Sequence, residues 1–105
     1  MTIPLQRSMK LLREEGFHVE KVEFWNAFSK TRKDLFGILD LLAIDPVTGH
    51  TLGVQVTTLG QRNPHLRKIK ASKNYHLLKQ ADWAIELHSW RKLKASGWTL
   101  KKDIL

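Results

Sequence analysis

Apolar residues recur at helical spacing at the start of the chain, at Leu5, Met9 and Leu12 (with Leu11), between Pro4 and Gly16. Proline suits the first turn of a helix and glycine its end, so the spacing predicts a helix over about 4–15. Residues 17–25 alternate through Phe17, Val19, Val22 and Phe24 with one slip of phase. That is the pattern of a half-exposed strand with a bulge at Glu20–Lys21. Residues 26–35 are polar and basic and read as a loop. Phe36–Asp45 is almost continuously apolar and closes on Asp-Pro and Thr-Gly, which predicts a central strand. A short buried helix is its competitor. Pro46–Gly49 makes a tight turn, and the β-branched, alternating Thr51–Thr58 returns as the second strand of a hairpin. A moderately amphipathic stretch over about 65–80 predicts a helix with Leu66, Ile69, Tyr75, Leu77 and Leu78 on its apolar side. Trp83–His88 alternates as a strand, Trp90–Ser96 is a basic loop or turn of helix, and Trp98–Ile104 is an edge strand with charge at Lys101 and Lys102. The order is α-β-β-β-α-β-β, an α+β fold of helices on a mixed sheet of about four to five strands.

At 105 residues the chain is one domain, residues 1–105. With 42% hydrophobic and 27% charged residues its composition is globular. The absence of cysteine excludes disulfide scaffolds, thiolate zinc sites and cysteine nucleophiles. Charges at Lys10, Arg13, Glu14 and Glu15 interrupt the first twenty residues, which argues against a signal peptide or a membrane span. The expectation is a soluble intracellular protein of phage or bacterial type.

Charge sharpens this picture because it is unevenly spread. Residues 1–61 carry seven Lys/Arg and seven Asp/Glu, whereas residues 62–105 carry eleven against three, the whole of the formal +8. A solvated basic surface is the plain reading. Clustering favours a polyanion, and nucleic acid in particular. The clusters are Arg62, Arg67, Lys68, Lys70 and Lys73, then Arg91, Lys92 and Lys94, with Tyr75, Trp90 and Trp98 among or beside them. An anionic membrane is less favoured, since no segment sets a strong apolar face against its lysines.

Asp40 does not fit its surroundings, Ile38-Leu39-Asp40-Leu41-Leu42. An unpartnered buried carboxylate costs several kcal/mol or shifts its pKa strongly. If Asp45 pairs with His50 across the four-residue turn, Asp40 lies opposite Gln55, and Thr57 shares the face of Gln55. One pocket would then hold a carboxylate, a carboxamide and a hydroxyl. A buried Asp satisfied by an amide, with no chemistry, is the plainer alternative.

A helix ending in Leu12-x-x-x-Gly16-Phe17-x-Val19, a basic loop, an apolar strand with one Asp, a turn, a strand with polar residues at i and i+2 and then a basic helix resembles the PD-(D/E)XK nuclease superfamily. Within it the pattern resembles the small Holliday-junction-resolvase-like and phage endonuclease-like proteins. The resemblance implies a restriction-endonuclease-like core, Mg²⁺ (or Mn²⁺) as cofactor, DNA as partner and a homodimer. It places Asp40 and Gln55 at the metal, Gln55 standing where the family has an acidic residue and Thr57 where it has a lysine. The family's glutamate on the first helix is missing from Leu5, Gln6 and Arg7. A neutral Gln oxygen weakens a site for Mg²⁺, which prefers anionic oxygen ligands. Thr57 brings no positive charge, so Lys68 or Arg67 on the following helix is the first candidate to supply it, and Arg32 or Lys33 the second. Asp34 reads first as a turn-capping residue and second as another carboxylate.

The function expected is Mg²⁺-dependent hydrolysis of DNA phosphodiesters, on branched or structured DNA. Asp40, Gln55, Thr57 and Lys68 form the catalytic set, and Arg32, Lys33, Arg62, Arg67, Lys70, Lys73, Arg91 and Lys92 contact the nucleic acid. The alternatives are a non-catalytic nucleic-acid-binding module that keeps the fold with a degraded metal site, and a small α+β RNA-binding protein unrelated to nucleases. The five histidines show no metal-ligand spacing on one face, and Trp83, Trp90 and Trp98 read as packing residues first.

Overall fold

The computed structural model describes residues 3–105. Helix α1 (Ile3–Glu14) is followed by strand β1 (His18–Lys21), a hairpin of β2 (Phe24–Asn26) and β3 (Thr31–Lys33), and strands β4 (Leu41–Ile44) and β5 (Thr51–Thr58). A short 3₁₀ turn (Leu59–Gln61) leads into α2 (Arg62–Ala71) and α3 (Lys73–Gln80), and the chain ends in β6 (Ala84–Leu93) and β7 (Gly97–Ile104). The five-stranded sheet has the order β1-β4-β5-β6-β7, while β2 and β3 form a separate two-stranded ribbon. Among the described residues only β5 and β6 run parallel. A parallel pair needs a long crossover, which α2 and α3 provide.

The sheet is mixed and helices cover both faces. Leu5 and Leu12 of α1 pack on Val19, Leu41, Ala43, Leu52 and Val54. On the opposite face Ile69 of α2 and Leu78 of α3 pack on Ile38, Leu39, Ile85 and Leu87. Strand β5, in the middle, is buried over Leu52–Gln55 on both faces, which explains its near-continuous apolar run. Removing the side chain of Leu87 or Ile85, both fully buried, costs about 2–5 kcal/mol. On the α1 side the Ser8 hydroxyl accepts from Trp90 Nε1 at 2.8 Å and sits 2.8 Å from His88 Nδ1, whose Nε2 lies 3.0 Å from Glu86 Oε1.

The β4–β5 register is the expected one: Leu41 faces Val54, Leu42 faces Gly53 and Ile44 faces Thr51. Asp45 closes the turn, its amide donating to His50 O at 3.0 Å and its carboxylate accepting from the amides of Val47 and Thr48. Strand β7 lies at the edge, as its lysines suggested.

Several elements differ from expectation, each for a local reason. Residues 17–25 are two strands in two sheets, and Glu20 and Lys21 pair regularly with Leu42 and Leu41, so there is no bulge there. The basic loop contains β3. The apolar run Phe36–Asp45 is a strand only from Leu41 onwards. Its first part is a tight turn in which the Leu39 amide reaches Leu35 O and Phe36 and Gly37 take positive φ. Ile38 and Leu39 are apolar because they plug the core under α2 and α3, not because they pair in a ladder. Leu39 lies so close to β5 that a Cβ on Gly53 would meet its side chain at 2.6 Å. The long helix is broken at Ser72, which is extended (ψ 133°) and caps α3 by accepting from the Asn74 amide. Residues 90–93 continue β6 rather than looping. Leu41 is buried, but Ile44 is exposed, at the end of β4 next to the turn.

Candidate functional site

Asp40 occupies the bend that opens β4, and both of its backbone groups are engaged. Its amide donates to Val54 O at 2.8 Å and its carbonyl accepts from the Val22 amide at 2.8 Å. The side chain, 4% exposed, is held as firmly: Oδ2 accepts from Gln55 Nε2 at 2.7 Å and from the Val56 amide at 2.8 Å. The neighbour relation between Asp40 and Gln55 anticipated from the turn is therefore present.

The backbone bond between Asp40 and Val22 also brings up Glu23, the next residue in the chain. Asp34, just past the end of β3, arrives from the other end of the ribbon. One carboxylate oxygen from each of Glu23, Asp34 and Asp40 lies within 4.8 Å of the others. They line a cavity of about 280 Å³ with Gln55 and Arg32, against a wall of Leu5 and Val56. Arg32 Nη1 stands 3.9 Å from Glu23 Oε1. Glu23 was invisible in the sequence, where it is one polar position in an alternating strand. Asp34 belongs to the cavity as a second carboxylate, the lesser of the two readings its sequence context allowed. Leu5, in the stretch of α1 where the resemblance sought a glutamate, faces the same cavity.

Crowding three carboxylates in a half-dry cavity has an electrostatic consequence. Burial pushes Asp40 up to about 8; the Val56 N–H bond opposes this, while the charge and hydrogen bond of Asp34 and the charge of Glu23 add to it. At neutral pH without a cation, Asp40 is thus largely protonated, hydrogen-bonded to Asp34 beside it. A second sign of incompleteness is Gln55 Oε1, which is buried and has no hydrogen-bond partner. Buried polar atoms are nearly always satisfied.

These residues fit a divalent cation. The donors are all hard oxygens, and three of the four side chains carry a charge when ionised. Bonds of 2.0–2.1 Å place opposite ligands about 4 Å apart, close to the size of the cluster. A cation held by the three carboxylates would displace the proton on Asp40.

The other expected site residues lie elsewhere. Thr57 is absent from the cavity wall and its hydroxyl points to His65 Nδ1, at 3.4 Å. Lys68 is exposed on α2 and does not line the cavity. The cation beside the carboxylates is instead Arg32, from the ribbon. Arg67, Lys70 and Lys73 are exposed on α2 and α3, and Lys33 on β3. Arg62 forms a two-pronged ion pair with Asp103 of β7, both contacts at 2.7 Å, which lowers the pKa of Asp103. Arg91 and Lys92 border a separate hollow of about 490 Å³ with Trp90, Trp98 and residues 58–60.

Ser8, His88 and Glu86 have the connectivity of a nucleophilic triad, but Ser8 is fully buried and its hydroxyl already accepts from Trp90. The Ser8 hydroxyl, with one donor and two acceptor sites, bridges Trp90 Nε1 and His88 Nδ1, and His88 Nε2 meets Glu86. The chain of bonds is satisfied and closed to substrate, a clamp between α1 and β6.

No family model matches the chain, and no curated protein matches it in sequence. No helix among the described residues is long and apolar enough to cross a membrane.

Proposed function

We propose that the chain is a divalent-metal-dependent endonuclease of restriction-endonuclease-like fold that hydrolyses DNA phosphodiesters. The observation that carries this reading is the convergence of the Glu23, Asp34 and Asp40 carboxylates in one cavity that Gln55 and Arg32 also line. The three carboxylates and Gln55 would hold Mg²⁺ or Mn²⁺. When bound, such an ion polarises the phosphodiester and lowers the pKa of a coordinated water.

The protein's own residues do the rest. Gln55 Nε2 and the Val56 amide fix the orientation of the Asp40 carboxylate. Arg32, half exposed at the cavity mouth, is placed to meet a phosphate and offset charge that develops on it. Glu23 holds Arg32 near the mouth until substrate arrives. A DNA substrate places the protein inside the cell, and two copies related by a twofold axis would address both strands of a branched substrate.

One observation favours a second reading, a DNA-binding module without catalysis. No lysine lines the cavity, and Asp40 is nearly sealed from solvent. The deciding experiment incubates linear, supercoiled and four-way-junction DNA with the protein and Mg²⁺ or Mn²⁺. Cleavage of at least one form is expected, abolished by Asp40→Asn with DNA binding retained. Gln55→Glu is expected to tighten Mn²⁺ binding in calorimetry by adding a charged ligand. No cleavage of any form by either the parent or Gln55→Glu would leave the binding module in its place.

A further inference from the structure

The β2–β3 ribbon carries three exposed aromatic rings. Phe24 and Trp25 are 57% and 59% exposed, and Phe28 at the tip is fully exposed. Among the described residues the ribbon belongs to neither layer of the core and pairs with no other strand. Two-stranded hairpins are only marginally stable in water, so placing three large rings on one without covering them is unfavourable for a free monomer.

The ribbon's charges indicate what covers the rings. Lys30 sits in the tip, Lys33 pairs in register with Phe24, and Arg32 pairs with Trp25. No acidic residue lies between Phe24 and Lys33. Aromatic rings interleaved with cations match a single-stranded polyanion whose bases are free to stack. Position adds to the match. Arg32, directly across from Trp25, also lines the carboxylate cavity, and Glu23 adjoins both. A strand with its phosphate at Arg32 therefore has its neighbouring base beside Trp25. The tip is braced to project: Asn26 Oδ1 accepts from the amides of Phe28 and Ser29, and the hydroxyls of Ser29 and Thr31 are 2.6 Å apart.

We infer that the ribbon is a base-stacking arm, with Trp25 and Phe28 holding unpaired nucleobases next to the phosphodiester at the cavity. This rests on the DNA reading above and narrows it to substrates with unpaired nucleotides, such as forks, flaps and opened junctions.

The test measures binding of the parent chain and of Trp25→Ala/Phe28→Ala by fluorescence anisotropy in EDTA. The probes are a labelled fork with unpaired arms and a blunt duplex of the same length. Both rings are exposed, so the variant keeps its core. Its affinity for the fork is expected to fall roughly tenfold while duplex affinity changes less than about twofold, and Trp25→Phe should hold most of the fork affinity. Equal losses on fork and duplex, or no loss on either, would overturn the arm. So would a parent dimer in sedimentation that the double variant converts to monomer without losing fork preference, because a second copy would then cover the rings. The outcomes separate this inference from the nuclease reading. Fork-specific loss without metal-dependent cleavage keeps the arm and removes the enzyme. Cleavage of forks by the double variant at the parent rate keeps the enzyme and removes the arm.

Discussion

Asp40 converts the chemistry of the site into a measurable dependence on pH. In an unfolded chain an Asp titrates near 3.9, whereas here burial and its acidic neighbours push Asp40 up to about 8. Between those values the folded state keeps a proton that the unfolded state has released. Stability from this group is therefore full below about pH 4 and is lost as pH rises through 8. Asp45 and Asp103, whose pKa values are lowered, act in the opposite sense: their contribution is lost only as pH falls through their own lowered values. In EDTA the melting temperature should fall between pH 5 and pH 8.5, and Asp40→Asn, which copies the protonated side chain, should flatten that fall and exceed the parent at pH 8.5. Mn²⁺ should restore the parent at pH 8.5 and leave the Asn variant unmoved. A parent melting curve that is flat across this range would show that Asp40 is ionised without help. The sequence made this residue legible because a charge inside Ile38–Ile44 has no benign explanation without a partner. Glu23 and Asp34 offered no such anomaly. Their role comes from a contact, Val22 N–H to Asp40 O, that only the folded chain makes.

At the scale of elements, what could be read depended on whether local chemistry or tertiary packing decides. The β4–β5 hairpin was legible to the residue because Asp45, Pro46 and Gly49 fix its turn and the alternation of Thr51–Thr58 fixes its register. The Leu35–Leu39 turn was not, since its apolar residues answer to α2 and α3 rather than to their own neighbours, and a buried turn and a buried strand share one composition. The break at Ser72 has a local signal that the apolar periodicity masks: serine is a favoured N-cap residue, and its hydroxyl here accepts from the Asn74 amide. The attachment of α1 to the sheet is a case no periodicity reveals. Ser8 lies on the buried face of an otherwise ordinary amphipathic helix, and its partners are eighty residues away. Ser8→Ala should leave His88 Nδ1 and Trp90 Nε1 unpaired in a dry interior, at a cost of about 1–3 kcal/mol for each group left unsatisfied. A urea titration checks this: the midpoint should drop with an unchanged slope. A midpoint equal to the parent's would mean that water or a rearranged His88 fills the gap.

Across the whole molecule the charge arithmetic of the sequence survives in a modified form. The balanced first part of the chain conceals a local imbalance, because three of its seven acids meet in one cavity. The basic second part spreads over α2, α3, the end of β6 and the edge strand β7, and Arg62 drops out of it because Asp103 neutralises it. Arg67, Lys68, Lys70 and Lys73 remain exposed on α2 and α3. They are tied to the site through Asn74, whose side chain donates to Phe36 O in the loop leading to Asp40. A duplex lying along this face would release counterions in proportion to the phosphates it neutralises, with a slope of log affinity on log salt of about −0.9 per contact. Lys68→Glu/Lys70→Glu/Lys73→Glu should therefore weaken binding to all sequences alike and reduce the slope by about 3. Arg62→Ala is the informative control. It breaks the clamp between α2 and β7, so it should lower the melting temperature while the slope stays at the parent value. If the triple reversal leaves the slope unchanged, duplex contact lies on another face; if Arg62→Ala reduces it, the pair with Asp103 opens on binding and Arg62 belongs to the interface after all.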